Sequence, residues 1–170
     1  MRSAIQVFII LLIYSGACFC QDTTQVNLTQ IGEQVPQFSF VTLEGDTVRI
    51  SQWEGDVILI NFFATWCGPC KKEMPHLEKE IWQKYQSKNF SLISIGREHN
   101  SDEVKKFKEE NKLSFPMAAD PNREIYSQFA KAYIPRNFLI DKKGKIVYQE
   151  RGFNLEKWKK LIQEIEGHVQ

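Results

Sequence analysis

Asn61-Phe62-Phe63-Ala64-Thr65-Trp66-Cys67-Gly68-Pro69-Cys70 is the stretch whose reading decides the fold of this 170-residue chain. It continues a run, Val57-Ile58-Leu59-Ile60, that is nearly unbroken in apolar character and β-branched at several positions. Such a run marks a strand covered on both faces. Beyond Cys70, the residues Met74, Leu77, Ile81 and Tyr85 recur at helical spacing. The chain therefore passes from a buried strand, through a Cys-x-x-Cys pair, into an amphipathic helix. Pro75 lies inside that helix, removes one backbone donor, and predicts a kink.

Working outward, Val35 to Val41 alternates apolar with polar, Glu44-Gly45-Asp46 supplies turn chemistry, and Thr47 to Ile50 resumes the alternation. That pattern predicts a hairpin. On the other side, Phe90 to Ile95 predicts a strand, and Asn100 with Glu103 forms a capping box for a charged helix bearing Val104 and Phe107. Asp120-Pro121 predicts a short helix whose buried face is Ile125 and Phe129. Asn137 to Ile140, the turn at Asp141-Lys142-Lys143-Gly144, and Ile146 to Tyr148 predict a second hairpin. Asn154 caps a last helix with the stripe Leu155, Trp158, Leu161, Ile162 and Ile165, and Gly167 is placed to end it. The order βββαβαα followed by ββα is that of an α/β domain spanning 35–170.

The length suits one domain of ordinary size. A net charge of +1 with 25% charged residues excludes the strong field expected of a nucleic-acid or acidic-lipid binder. The Lys clusters at 105–108 and 157–160 fall on the solvated faces of helices. At the N-terminus, Arg2 precedes an apolar segment, Ile5 to Tyr14, too short to span a bilayer, and small residues follow. Residues 1–20 are thus expected to be an export signal, and the polar 21–34 a linker to the domain. Ser15-Gly16-Ala17-Cys18 resembles a bacterial lipobox, with Ser15 where Leu is usual, which makes Cys18 a candidate lipidation site and the lipid a candidate membrane tether. Asn27-Leu28-Thr29 and Asn89-Phe90-Ser91 match the glycosylation triplet, a pattern common by chance.

The four cysteines divide into a processing pair, Cys18 and Cys20, and a pair inside the domain, Cys67 and Cys70. A strand end followed by a helix start places Cys67 among free backbone N–H groups and at the positive end of the helix dipole, both of which favour its thiolate. Cys70 returns within one turn, close enough for a disulfide. Cys67 is accordingly the candidate nucleophile and Cys70 the candidate resolving thiol for exchange through a mixed disulfide. The alternatives are a structural disulfide, half a zinc site, or a dithiol that carries copper or another soft metal. No cofactor and no resident metal are expected for the exchange reading. A thiol peroxidase on the same fold is a further alternative, although its Pro-x-x-x-Thr-x-x-Cys signature is missing around Thr65.

The segment from Ala64 to Pro75 is similar to the active-site segment of the TlpA/ResA branch of extracytoplasmic thioredoxin-like proteins. The resemblance runs from about Val35 to the end, including Gly55, Phe115-Pro116 and Ile134-Pro135. It implies a thioredoxin-like fold, a central mixed sheet flanked by helices with an N-terminal hairpin extension. It further implies that Pro135 is the cis-proline beside the dithiol and that Glu73, by sequence alone equally an ordinary first-turn acid, is the active-site acid; Trp66, core or a substrate-facing wall, and Ile134 are the candidate substrate-binding neighbours. The partners implied are exported proteins, apocytochromes among them, and a membrane electron donor. The Gly-Pro dipeptide matches that of thioredoxin, which points to a reducing role in the periplasm or at the membrane. Two residues depart from the family pattern: Arg136 and Asn137 stand where small hydroxyl residues are common, which bears on substrate specificity.

Overall fold

The structure, a computed structural model, describes residues 26–169. The signal segment, Cys18 and Cys20 lie outside the described residues. Among the described residues, no helix is long and apolar enough to cross a membrane.

Two short strands, β1 (Ser39–Val41) and β2 (Thr47–Arg49), form an antiparallel hairpin, as the alternation around Phe40 and Val48 predicts. The main sheet has five strands in the order β5-β4-β3-β6-β7. Its centre is β3 (Val57–Phe63), parallel to β4 (Phe90–Arg97) on one side and antiparallel to β6 (Arg136–Ile140) on the other. Strand β5 (Met117–Asp120) continues the parallel side, and β7 (Ile146–Arg151) the antiparallel side. The helices are α1 (Gly68–His76), α2 (Gln83–Tyr85), α3 (Ser101–Glu110), α4 (Tyr126–Phe129) and α5 (Leu155–Val169).

All seven residues of β3 are buried, and successive side chains serve opposite layers. Val57, Leu59 and Phe63 pack with Met74, Leu77 and Ile81 and with Trp158, Leu161 and Ile165 of α5. Ile58, Ile60 and Phe62 pack with Phe38 and Phe40 of the N-terminal region and with Tyr126 and Phe129 of α4. The sheet thus lies between a helical layer and a layer closed by the hairpin. This is the mixed sheet with flanking helices and an N-terminal hairpin that the sequence predicts.

Four local differences have physical causes. Pro75 has no N–H to donate to Lys71, and the disturbance takes the form of a π-helical turn, Leu77–Trp82, between α1 and α2. Asp120 ends β5 rather than starting a helix, because α4 begins only at Tyr126; its carboxylate still accepts from the backbone N–H groups of Ile125 and Tyr126, at 3.2 and 2.8 Å. The helix α5 runs through Gly167 to Val169. The described part of the expected linker is tied to the domain: Leu28 N–H donates to Phe129 O at 2.9 Å, Asn27 bridges Ala130, Gln34 bridges Lys145, and Thr29 is buried. Polar composition there reflects backbone pairing along the domain surface rather than a free tether.

Candidate active site

The β3 strand ends at Phe63, and four residues later Cys67 takes up an extended conformation as the N-cap of α1. Its Sγ accepts from the Cys70 N–H at 3.2 Å, and Lys71 N–H closes the first turn on Cys67 O at 3.1 Å. Pro69 stands in the first turn, where no backbone donor is needed. Cys67 and Cys70 are joined in a disulfide with Cα atoms 5.3 Å apart. Cys67 retains 5% exposure and Cys70 none, so of the two only Cys67 reaches solvent.

Glu73 follows Cys70 by three residues, which puts both on one side of α1. It is 1% exposed, at the layer of β3 otherwise filled by apolar side chains. Its carboxylate accepts from Asn137 Nδ2 at 2.6 Å and Asn61 Nδ2 at 2.9 Å. Asn61 Nδ2 also donates to Asn137 Oδ1 at 3.0 Å, and Ser94 Oγ donates to Asn61 Oδ1 at 2.7 Å. Asn61, Ser94 and Asn137 are register partners on three adjacent strands, so the sheet itself builds this cradle. Burial disfavours the charged form and pushes the Glu73 pKa up to about 7, against the opposing pull of the two amide donors. A cavity of about 10 Å³, near the lower limit for one water, adjoins Glu73 and is lined also by Asn137, Tyr148, Glu150 and Lys157.

The peptide between Ile134 and Pro135 is cis. Donors from three side chains hold the carbonyls leading into it. Arg123 Nη2 donates to Lys131 O at 2.8 Å, Arg136 Nε to Ala132 O at 2.9 Å, and Tyr126 Oη to Tyr133 O at 2.7 Å. Gly152 N–H donates to Pro135 O at 2.8 Å, tying the loop to the end of β7. Tyr133 has a φ of 71°, a left-handed conformation uncommon for an aromatic residue. Ile134 packs against the layer that contains Cys67 and Cys70. Trp66, beside the nucleophile, is 61% exposed.

Sequence reasoning brought Cys67, Cys70 and Glu73 to one helix, and the structure sets them there together, with Ile134 at the edge of the same layer. It did not foresee Asn61, Ser94 and His99. Asn61 and Ser94 interrupt apolar strand runs, and a polar side chain in a strand buried on both faces must find a partner. That is the signal that points to a network. His99 is buried, and its Nε2 accepts the Thr65 N–H at 2.9 Å, fixing the backbone two residues before Cys67. This acceptor role needs the neutral imidazole with its proton on Nδ1. Among the described residues, no group of three or more His, Cys, Asp or Glu is arranged to hold a metal.

A disulfide at the head of a helix that follows the central strand of such a sheet, with a buried acid one turn below, defines a thioredoxin-like thiol-disulfide oxidoreductase. Residues 31–149 match the AhpC/TSA family, and the chain belongs to it, its curated relatives being thiol-disulfide oxidoreductases. The thiol-disulfide oxidoreductase ResA of Bacillus cereus is 34% identical over 148 residues, 85% of either chain. The solution structure of a candidate protein disulfide isomerase from Bacteroides thetaiotaomicron superposes with a TM-score of 0.82 at 37% identity, covering 85% of this chain and 92% of that one. A thiol:disulfide interchange protein from a Bacteroides species gives a TM-score of 0.68 at 25% identity, covering 84% and 91%.

Proposed function

We propose that this oxidoreductase works outside the cytoplasm, reducing disulfides of exported proteins through Cys67 and Cys70, held near the membrane by an N-terminal lipid on Cys18 and recharged by a membrane electron donor of the dithiol type. The observation that carries the reducing mechanism is the buried Glu73, with a pKa of about 7, one turn from the fully buried Cys70. The reduced protein starts with Cys67 as thiolate, favoured by the α1 N-terminus. Its sulfur attacks one sulfur of the substrate disulfide, forming the Cys67–substrate bond and expelling the other substrate sulfur as thiolate. Glu73, as carboxylate, takes the proton of the Cys70 thiol. The Cys70 thiolate then attacks Cys67 Sγ, closes the intramolecular disulfide, and releases the second substrate sulfur. Two electrons leave the dithiol, and the substrate sulfurs take up protons.

A carboxyl poised near neutrality suits both directions of that transfer, since it is populated in both forms at pH 7. The small cavity beside Glu73, adjoining the Glu150–Lys157 ion pair, offers its proton a way to solvent through one water. Trp66, Ile134 and Pro135 form the wall against which an extended substrate segment would lie.

The test is a pair of variants assayed on insulin and in the native envelope. Cys67→Ala is expected to lose disulfide reduction entirely, and Cys70→Ala to accumulate mixed disulfides that identify client and donor by mass spectrometry. Retained turnover in both variants would end the reading. Labelling of the wild type with a membrane-impermeant thiol reagent in intact cells checks the compartment.

A further inference from the structure

Cations and aromatic rings alternate between the dithiol and the cis-proline loop, from the exposed Trp66 over the buried Tyr126 to the exposed Tyr133. Arg97 stands over the Trp66 ring with its guanidinium 5.9 Å from the centroid, and also over Tyr126 at 4.9 Å. Arg123 covers Tyr126 from 5.2 Å, and the hydroxyl of Tyr126 holds the carbonyl of Tyr133. Arg151 lies 5.1 Å from the centroid of Tyr133, which is itself 58% exposed. The chain of contacts is continuous from the residue before Cys67 to the residue two before Pro135.

The charge along it is unbalanced. Among the described residues, Glu98 is the one carboxylate paired with Arg97 and Arg123, at 3.3 and 3.6 Å, while Glu150 is taken by Lys157 at 3.1 Å. Arg151 has no ion pair among the described residues. Among the described residues, the buried Nε–H groups of Arg97 and Arg123 have no hydrogen-bond acceptor. Guanidinium groups stacked on rings keep their edges free for carboxylates, and the rings fix them in place.

We infer that this ridge selects substrate segments with Asp or Glu beside the reacting cysteine, Arg97 and Arg151 receiving carboxylates on either side of it. Glu98 acts as the internal competitor for the Arg97 end. The inference rests on the reductase reading above and deepens it by naming the class of client segment. Placement on the two sides follows from Arg97 being tied to Trp66 and Arg151 to the loop before Pro135.

The test uses the full-length protein, reduced with dithiothreitol, on three extended peptides of one sequence. Each carries a single cysteine blocked as a mixed disulfide with 2-mercaptoethanol, flanked by Asp, Asn or Lys. The Asn peptide checks the reductase reading alone: no reduction of it would overturn that reading and not the ridge. The expected kcat/KM ratio of Asp over Lys peptide is about tenfold at low salt, shrinking toward unity in about 0.5 M salt. The ratio should fall by about threefold in Arg97→Gln or Arg151→Gln, approach unity in the double variant, and rise in Glu98→Gln. Lys143→Gln, in the turn at the opposite end of β6, should keep the wild-type ratio. Equal rates on Asp and Lys peptides, or an unchanged ratio in the double variant, would overturn the inference. Equal rates combined with Arg-dependent binding to phosphatidylserine vesicles would reassign the ridge to a lipid surface.

Discussion

Arg136 and Asn137 are neighbours on one strand and serve opposite sides of the sheet. Asn137 faces the helical layer, where a neutral amide meets a carboxyl whose charge is nearly optional. Arg136 faces the hairpin layer, 1% exposed, where a permanent cation donates to Ala132 O at 2.9 Å and to Asn27 Oδ1 at 2.6 Å. One residue tunes a proton and the other fastens a loop, and only their alternation along β6 keeps the two functions apart. Burial lowers the pKa of Arg136, yet a guanidinium stays protonated, so this cation does not respond to pH. The Asn137 side does. The buried acid and the loop before Pro135 can therefore be perturbed separately from two adjacent positions.

The largest separation comes from Glu73→Gln. Loss of the proton acceptor should slow closure of the Cys67–Cys70 bond by on the order of 10²-fold at pH 7, with little change in formation of the first mixed disulfide. Quenched-flow trapping distinguishes the two steps. The same variant should be more stable than wild type at high pH. A buried carboxyl with its pKa raised to about 7 binds its proton more tightly folded than unfolded, so its contribution is complete at low pH and is lost as pH rises through 7. With the pKa raised from 4.5 to about 7, the gain of Glu73→Gln over wild type should grow by roughly 3 kcal/mol between pH 4 and pH 8. Urea titrations of the oxidised proteins at both pH values check this; a gap that does not change with pH would remove Glu73 as a titrating group.

A smaller effect is expected from Asn137→Leu. It deletes the shorter of the two donors to Glu73 and leaves Asn61 to hold the carboxylate alone. The pH midpoint of turnover should move upward by about one unit. A midpoint that stays in place would show that the amide serves only to fill the layer.

Much of this division was legible in the chain, and the reason is the strength of its periodic signals. The uninterrupted run of β3, the Asn100 capping box and the Cys pair at a strand-to-helix junction each carry their own physical explanation. The strand β5 was not legible, because Met117-Ala118-Ala119-Asp120 offers neither β-branched residues nor alternation, and its strand form comes from pairing with β4. The role of Glu73 came through family resemblance, since a first-turn acid is common at any helix start. Asn61, Ser94 and Asn137 meet only when three strands are in register, a relation of 33 and 76 residues along the chain that no local pattern encodes. Arg136 was visible as a departure from the family, while its partner Asn27 lies in a stretch whose polarity suggested a linker.

The smallest expected effect is the sharpest control on the comparison. Arg136→Lys preserves the charge but replaces a rigid fork with a single ammonium, which cannot reach both Ala132 O and Asn27 Oδ1 in the geometry the guanidinium spans. One acceptor is left without its donor, at a cost of about 1 kcal/mol in stability. The loss should fall on the loop before Pro135 and on the anchoring of residues 26–30, raising KM for peptide substrates by a few-fold. Because β6 points this side chain away from Glu73, the pH midpoint of turnover should remain that of the wild type. A shift in that midpoint would mean that the two layers communicate through β6, and that the loop and the buried acid form one device instead of two.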